Sequence, residues 1–191
     1  LMKTLISAVV LSVAFMGAAH AELSSNQPEG PVYAAMPLDS LQAAAEQGNV
    51  NAMFFLANRY KNGEGVAQNL SQSFSWYLKA AQKGAAAAQL NVGQMYALGR
   101  GVQQDLAQAK LWLQKAARQG DNRASYNLAL LEERDQNLAS AYTWYEVSTR
   151  DGMLDDGVRS RAQGKIRKLA ANLSPEDQQR ARLQADQWLQ Q

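Results

Sequence analysis

The chain has 191 residues, 47% of them hydrophobic, so it is long enough to bury a core of its own. Its 19 Lys and Arg residues nearly balance its 17 Asp and Glu residues, and the net charge of +2 lacks the basic excess typical of nucleic-acid binding. There is no cysteine, and the single histidine, His20, lies in a segment that we expect to be removed. Thiolate and imidazole metal sites, Ser-His-Asp triads and Cys-His nucleophiles are therefore excluded, and no catalytic, metal or cofactor site is expected.

The first 21 residues have the pattern of an export signal. Lys3 precedes an apolar run over residues 5–17, and Ala-His-Ala at 19–21 has the small-x-small spacing of a signal peptidase site. A retained membrane anchor is the alternative, but the run is short for a bilayer core of about 30 Å. The sequence thus predicts a periplasmic protein with a mature start at Glu22, with secretion as the alternative location.

Residues 22–37 contain three of the four prolines, together with Ser, Asn, Gln and Gly, which predicts a flexible linker. No further proline occurs before Pro175. Because proline breaks helices from within, its absence over this long stretch favours a helical protein.

The chain then repeats itself at an offset of 36 residues. The first copies of the recurring residues are Tyr60, Gly63, Gly65, Val66, Trp76, Ala80, Ala81 and Gly84. The second copies are Tyr96, Gly99, Gly101, Val102, Trp112, Ala116, Ala117 and Gly120. A third, shortened copy contains Trp144 and lacks the Gly-x-Gly-Val loop. The predicted units are a half unit at 38–48 and repeats at 49–84, 85–120 and 121–152.

Each unit has the pattern of two helices. Ala52, Leu56 and Tyr60 fall on one face of the first helix, and Gly63 occupies a C-cap position. The predicted N-caps of the second helices are Asn69, Asp105 and Asn137. Small residues that would let neighbouring helices approach closely are Ala57, Gly93 and Ala129. Because one hairpin cannot bury its own apolar face, the units are predicted to stack into an all-α solenoid.

The pattern Ala-x-x-x-Leu-(Gly/Ala)-x-x-Tyr-x-x-Gly-x-Gly-Val, followed by an Asn or Asp cap, Trp and Ala-Ala-x-x-Gly, resembles the Sel1-like repeat. The resemblance implies a right-handed solenoid of α/α hairpins, similar to tetratricopeptide arrays, with residues 153–191 as terminal capping helices. Two positions depart from the pattern: Arg59 replaces an apolar residue, and Glu132 replaces the tyrosine of the third unit.

The resemblance also implies a function. Sel1-like arrays are non-enzymatic adaptors that bind another protein through the repeat surface. Exported short arrays resemble two more specific classes, immunity proteins that neutralise a secreted toxic effector such as a phospholipase, and accessory proteins of a flagellar motor. A cysteine-paired subset of the family is linked to β-lactam binding, which does not transfer to a chain without cysteine.

Candidate partner-binding residues lie on the face of the first helices that turns away from Ala52 and Leu56. They are Phe55, Asn58, Asn91, Gln94 and Asn127. The apolar residues Phe54, Leu90 and Tyr126 recur in every unit and are predicted to pack. Phe55 has asparagine at both sister positions, so it is either an interface anchor or a cover for the seam with the half unit.

A basic helix is predicted over residues 157–173, which contain five basic residues and no acid. Arg159 and Lys165 on it are further candidates for contact with an anionic partner, and an anionic membrane surface is a second reading. The alternative is a solvated face on a terminal cap.

Two remaining patterns tempt towards catalysis or sugar binding. The adjacent carboxylates Glu132-Glu133 and Asp155-Asp156 diverge by about 100° on a helix, so they do not form the facing pair of a glycosidase. The tryptophans at 76, 112 and 144 suggest a stacking platform for sugars, but their spacing follows the repeat and favours packing.

Overall fold

A computed structural model describes residues 30–150 and 155–190. The predicted export signal and the first part of the predicted linker lie outside the described residues. The described residues form α-helices joined by short loops, with no β-strand among them. The helices are α1 (Gly30–Ala35), α2 (Leu38–Glu46), α3 (Val50–Asn62), α4 (Leu70–Gln82), α5 (Ala86–Leu98), α6 (Leu106–Ala117), α7 (Asn122–Arg134), α8 (Leu138–Arg150), α9 (Asp156–Ala170) and α10 (Pro175–Leu189).

The helices stack as consecutive hairpins. Helices α3 and α4, α5 and α6, and α7 and α8 are the three full units, while α2 is the half unit that packs on α3. The first helices of successive units, α5 and α7, also contact each other, and α7 contacts α9. Lys61 at the end of α3 contacts Asn91 of α5, so α3, α5 and α7, called the first helices below, form one layer. The predicted all-α repeat solenoid is confirmed.

Alanine and other small residues set the close spacing between helices. Ala52, Ala57, Ala88 and Ala129 are fully buried. At Gly93, an added Cβ would lie 2.6 Å from Leu113 Cγ, closer than packed carbon atoms approach. The prediction that small residues at these positions allow close helix approach is thus confirmed in the second unit.

Glycine and polar caps end and begin the helices of the first two units as predicted. Gly63 ends α3 with a left-handed φ of 73°, a conformation that glycine adopts without steric cost. The side chains of Asn69 and Asp105 accept hydrogen bonds from the backbone N–H groups of Gln72 and Gln108, each at 3.0 Å.

The third unit turns differently because its loop is shorter. The Asn137 carboxamide donates to Glu132 Oε2 at 3.0 Å, and the Asn137 carbonyl oxygen accepts from the Ala141 backbone N–H at 2.9 Å. Gln136 takes the left-handed conformation, with a φ of 63°, in a loop that contains no glycine. Lys110 of α6 contacts Glu132 Oε1 at 2.7 Å and Asp135 Oδ2 at 3.1 Å. Glu132, the second departure from the repeat pattern, thus anchors this turn to the preceding unit.

The predicted linker at 22–37 is wrong in its final part, because Gly30–Ala35 form α1 and this helix packs on α3. Arg59, the other departure from the pattern, supplies the anchor. Its Nη2 donates to the carbonyl oxygens of Ala34 at 2.8 Å and Met36 at 3.0 Å. A polar side chain replaces an apolar one here because it satisfies carbonyls at the end of a helix outside the array.

Helices α9 and α10 close the other end by packing on α8. Ser174 Oγ accepts from the Asp177 backbone N–H at 3.1 Å, and Pro175 occupies the first position of α10, so this helix begins with a capped N-terminus. Near the end of α10, the Trp188 ring meets the Trp144 ring edge to face, with 4.7 Å between centroids. Trp144 therefore packs within the cap.

Candidate functional site

The outward face of the first helices mixes packed apolar residues with half-buried polar ones. Leu90 is buried, and Phe54 and Tyr126 pack against the core clusters, which confirms their predicted packing role. The polar candidates Asn58, Asn91, Gln94 and Asn127 are all half-buried. Half-buried polar groups keep part of their surface for solvent or for a partner.

Phe55 lies under α1. Its ring stacks on Tyr33, with centroids 6.1 Å apart and an angle of 16° between planes, and meets Phe54 edge to face at 5.6 Å. The structure therefore favours the interpretation in which Phe55 covers the seam at the N-terminal end. A partner that used the stacked face of the Phe55 ring as an anchor would have to displace α1.

Asn58 is held from the core side. The buried Tyr77 hydroxyl donates to Asn58 Oδ1, and burial raises the pKa of Tyr77 well above its usual value, so the phenol remains a donor. Asn58 therefore serves first as the partner of a buried hydroxyl, which would otherwise lose a hydrogen bond on folding.

Asn91 and Gln94 are brought together in a groove between the first and second units. The groove has a volume of about 470 Å³. We call it the seam groove; its lining includes Lys61, Asn62, Leu70, Asn91, Gln94 and Arg100. It contains two cations, four carboxamide groups and apolar surface, a composition suited to a polar ligand with an anionic group.

Lys61 is the most constrained cation of the seam groove. Its Nζ lies 3.5 Å from Asn91 Oδ1 and 5.5 Å from the centroid of the Tyr77 ring. Burial lowers the pKa of Lys61, and the like charge of Arg100 lowers it further. An anion bound here would relieve both effects.

The sequence analysis missed Lys61 and Arg100. A signal was present, since their sister positions one repeat away carry Ala97 and Glu64. The comparison of sister positions that singled out Phe55 would have found both residues.

Asn127 does not reach the seam groove. Its carboxamide donates to the Arg123 carbonyl at 2.7 Å, as Asn91 does to Ala87 at 2.8 Å. Both asparagines thus use a side-chain N–H group for a hydrogen bond within their own helix, and the carboxamide oxygen takes no part in that bond. The two side chains are matched in geometry but lie in different surroundings.

On the basic helix α9, Lys165 is engaged within the array. Its Nζ lies 3.0 and 2.8 Å from the two carboxylate oxygens of Glu133, which also accepts from the Tyr145 hydroxyl at 2.6 Å. Burial acts to raise the pKa of Glu133, but the hydrogen bonds from Lys165 and Tyr145 outweigh it, and the pKa lies below its usual value. Arg159 is half-buried, with its Nε shielded from solvent and without a hydrogen-bond partner.

These contacts favour the terminal-cap interpretation of α9. Val158, Ala162 and Leu169 are buried on its inner face. Arg161 lies over the Tyr126 ring, 5.6 Å from its centroid, so a second cation of this helix packs on the array.

The tryptophans of the first two units pack under lysines. Lys79 Nζ lies 4.0 Å from the Trp76 ring centroid, and Lys115 Nζ lies 4.1 Å from that of Trp112. Trp112 itself is buried. Since equivalent lysines cover equivalent rings in both units, the arrangement belongs to the repeat and supports the packing interpretation.

Three of the four acidic residues at 132–133 and 155–156 are similarly occupied. Glu132 and Glu133 pair with Lys110 and Lys165, and Asp155 caps α9 by accepting from the Val158 backbone N–H. Within the described ranges, no group of three His, Cys, Asp or Glu side chains could hold a metal ion. In the same ranges, no helix is both long enough and apolar enough to cross a bilayer.

Comparison with known proteins agrees with this architecture. The model of the Sel1 repeat matches residues 50–84, 86–121 and 122–152, more than half of the chain. A Sel1 repeat protein from Oxalobacter formigenes is 34% identical, with 66% of this chain and 97% of that chain covered and a TM-score of 0.54. No curated protein sequence matches significantly.

A second solved structure is c5321, described as a protective antigen of uropathogenic Escherichia coli with an SLR fold. It is 27% identical, with a TM-score of 0.53, and the match covers 80% of this chain. The matched part spans only 40% of the c5321 chain. The repeat spacing, the stacked hairpins and the family match together lead to one conclusion: the chain belongs to the Sel1 repeat family.

Proposed function

We propose that this protein is an exported, non-enzymatic adaptor that binds a partner protein through the layer of first helices. Sel1 repeat proteins generally mediate protein–protein interaction and are typically non-catalytic scaffolds. The observation that carries the proposal is the seam groove, where Asn91 and Gln94 from the outward face meet two cations at the junction of two units. Solenoids bind along such continuous surfaces, which the junctions between units build.

The polar groups of this surface are pre-organised. Asn91 is fixed by its bond to the Ala87 carbonyl, and Lys61 is fixed between Asn91 and the Tyr77 ring. A surface whose side chains are already ordered loses less conformational entropy when a partner binds. The first-helix layer therefore offers a partner polar groups whose positions are already fixed.

Site-specific photo-crosslinking in the producing cells tests the binding face. A photo-reactive amino acid is placed at Gln94 or Asn127, and the matched controls carry it at Ser75 or Leu111, equivalent exposed positions on the second helices α4 and α6. We expect crosslinked partner bands from positions 94 and 127 and none from the controls. Crosslinking from positions 75 and 111 alone would place the interface on the other face and contradict the proposal.

The identity of the crosslinked partner separates the specific roles. A secreted effector as partner, with rescue of intoxicated cells, would indicate an immunity protein. A motor component, with a swimming defect in the absence of this chain, would indicate a flagellar accessory protein.

Export is supported by the pattern of residues 1–21 and is tested separately. We expect the protein in the osmotic-shock fraction, with a mature N-terminus at Glu22 by mass spectrometry. Retention of residues 1–21 on the protein in the membrane fraction would instead support the anchor.

A further inference from the structure

The seam groove has two positive charges that are not part of the repeat pattern. Lys61 and Arg100 line it, whereas the positions one repeat away are Ala97 for Lys61 and Glu64 for Arg100. A residue required for stacking would recur, as the tryptophans and glycines do. The two cations are therefore specific to this one seam.

The backbone holds Arg100 at the rim of the groove. The next residue, Gly101, has a φ of +75°, and an added Cβ would lie only 2.2 Å from the Leu70 carbonyl oxygen. The loop of the second unit is thus seated directly on the start of α4. This contact places the Arg100 side chain on the same groove as Lys61, which projects from the end of α3.

Neither cation is neutralised within the described parts of the chain. The ion pairs there join carboxylates to other lysines and arginines, and none of them includes Lys61 or Arg100. Glu64 raises the pKa of Lys61, but this effect is weaker than that of Arg100, and Glu64 also accepts a hydrogen bond from Asn62 at 2.7 Å. The groove therefore presents a net positive charge beside carboxamides.

Apolar surface adjoins these charges. Leu98 is 65% exposed, and Leu70 and Met95 also line the groove. An exposed leucine beside paired cations and amides matches a peptide in which an acidic group neighbours an aliphatic side chain. Inorganic phosphate would use the cations but leave the leucine without a partner.

We propose that the seam groove is a carboxylate-binding site for an acidic peptide segment of the partner protein, with Lys61 and Arg100 contacting the carboxylate and Leu98 contacting a neighbouring aliphatic side chain. The carboxylate comes from an Asp or Glu side chain or from the partner's C-terminus. This inference rests on the proposed function, because it specifies what the first-helix layer recognises.

The probe is the fluorescein-labelled peptide Ser-Gly-Leu-Asp-Leu-Gly-Ser with an amidated C-terminus, titrated up to millimolar protein and followed by fluorescence anisotropy. A second peptide has Asn in place of Asp and a free C-terminus, and a third has Asn and an amidated C-terminus. We expect binding of the first or the second peptide, which identifies the source of the carboxylate, and none of the third. Binding should weaken as salt is raised, since screening acts on the charge contact.

The variants Lys61→Met and Arg100→Gln should each weaken peptide binding by roughly tenfold or more, the scale of a lost charge-assisted hydrogen bond. The matched control is Arg167→Gln, which removes one exposed positive charge from α9 and should leave the affinity unchanged. Far-UV circular dichroism checks folding; Arg100 is exposed, so its variant is expected to fold even where Lys61→Met does not.

Equal affinity of all three variants, no binding of any acidic peptide, or displacement of the peptide by equimolar inorganic phosphate would overturn the carboxylate-peptide site. The crosslinking experiment separates this failure from that of the proposed function. If crosslinks from position 94 persist with full yield in Lys61→Met, the adaptor function is supported but the role of the seam groove in binding is contradicted. Peptide binding without any cellular crosslink would support the carboxylate site but contradict the proposed adaptor function.

Discussion

Gly93 is the position where the smallest change tests the packing of the array most directly. In the sister units its place is taken by Ala57 and Ala129, and the residues equivalent to the facing Leu113 are Tyr77 and Tyr145. Alanine thus accompanies a flat tyrosine ring, and glycine accompanies a leucine branched at Cγ. We expect the two positions to be coupled, so that alanine at 93 is tolerated only with tyrosine at 113.

The magnitude of the effect follows from two opposing contributions. Replacing a glycine inside a helix by alanine stabilises by roughly 0.5–1 kcal/mol. Against this, the new Cβ would lie 2.6 Å from Leu113 Cγ, 2.9 Å from its Cδ2 and 3.2 Å from the Ala109 carbonyl oxygen. Leu113 is only 1% exposed, so its side chain cannot turn into solvent to make room. Overpacking of this kind costs about 1–3 kcal/mol, so Gly93→Ala should destabilise by about 1 kcal/mol net.

The assay is equilibrium urea unfolding followed by circular dichroism for the wild type, Gly93→Ala, Leu113→Tyr and the double variant. The double variant should be more stable than the sum of the single effects predicts, with a coupling of about 1 kcal/mol. Its new phenol would lie near Gln94, the equivalent of the Asn58 that accepts from Tyr77. A Gly93→Ala variant at least as stable as the wild type, or zero coupling, would refute this account of helix approach.

Three further predictions concern the ends, the loops and the pH response of the array. Arg59→Leu should leave global stability nearly unchanged but speed hydrogen exchange in residues 32–36, because the carbonyls of Ala34 in α1 and of Met36 just after it lose their donor. Unchanged exchange there would contradict the anchoring role. Gly65→Ala and Gly101→Ala both place alanine in the left-handed conformation, at a cost of about 1 kcal/mol each. Only at Gly101 would the new Cβ also meet backbone, at 2.2 Å, so thermal melts should show a clearly larger loss of stability for Gly101→Ala. Equal losses of stability would count against the seated loop. The pKa of Glu133 is lowered in the folded state, so the ionised carboxylate stabilises the fold above pH 4.5, its usual pKa, and this stabilisation is lost as pH falls through the folded-state pKa. Glu133→Gln should therefore flatten the dependence of the unfolding midpoint on pH below 4.5. An unaltered pH profile would show that the contact with Lys165 does not stabilise the fold.

Local sequence chemistry was sufficient to predict the units of the fold. Glycines at Gly63 and Gly99 are needed where a helix ends in the left-handed conformation, and Asn69 and Asp105 supply acceptors for unpaired N–H groups. These requirements act between residues a few positions apart, so they are written in the spacing itself. Helix periodicity, and with it the stacked solenoid, follows from the same short-range rules.

The candidate site was only partly predictable for the opposite reason. Asn91 and Gln94 were predicted from one helix face, but their partners Lys61 and Arg100 come from the end of the first helix of one unit and from the loop of the next. The fates of Phe55 and Lys165 were likewise decided by contacts with Tyr33 and Glu133, 22 and 32 positions away.

The sequence by itself therefore determined the repeat, the hairpin and the absence of cysteine and histidine chemistry outside residues 1–21. The tertiary structure alone decided which polar side chains are consumed in packing and which remain at a seam. Backbone conformation depends on near neighbours along the chain, whereas the surroundings of a charge depend on whichever elements stacking brings beside it. In this chain, stacking pairs Lys165 with a carboxylate and leaves Lys61 beside a second cation.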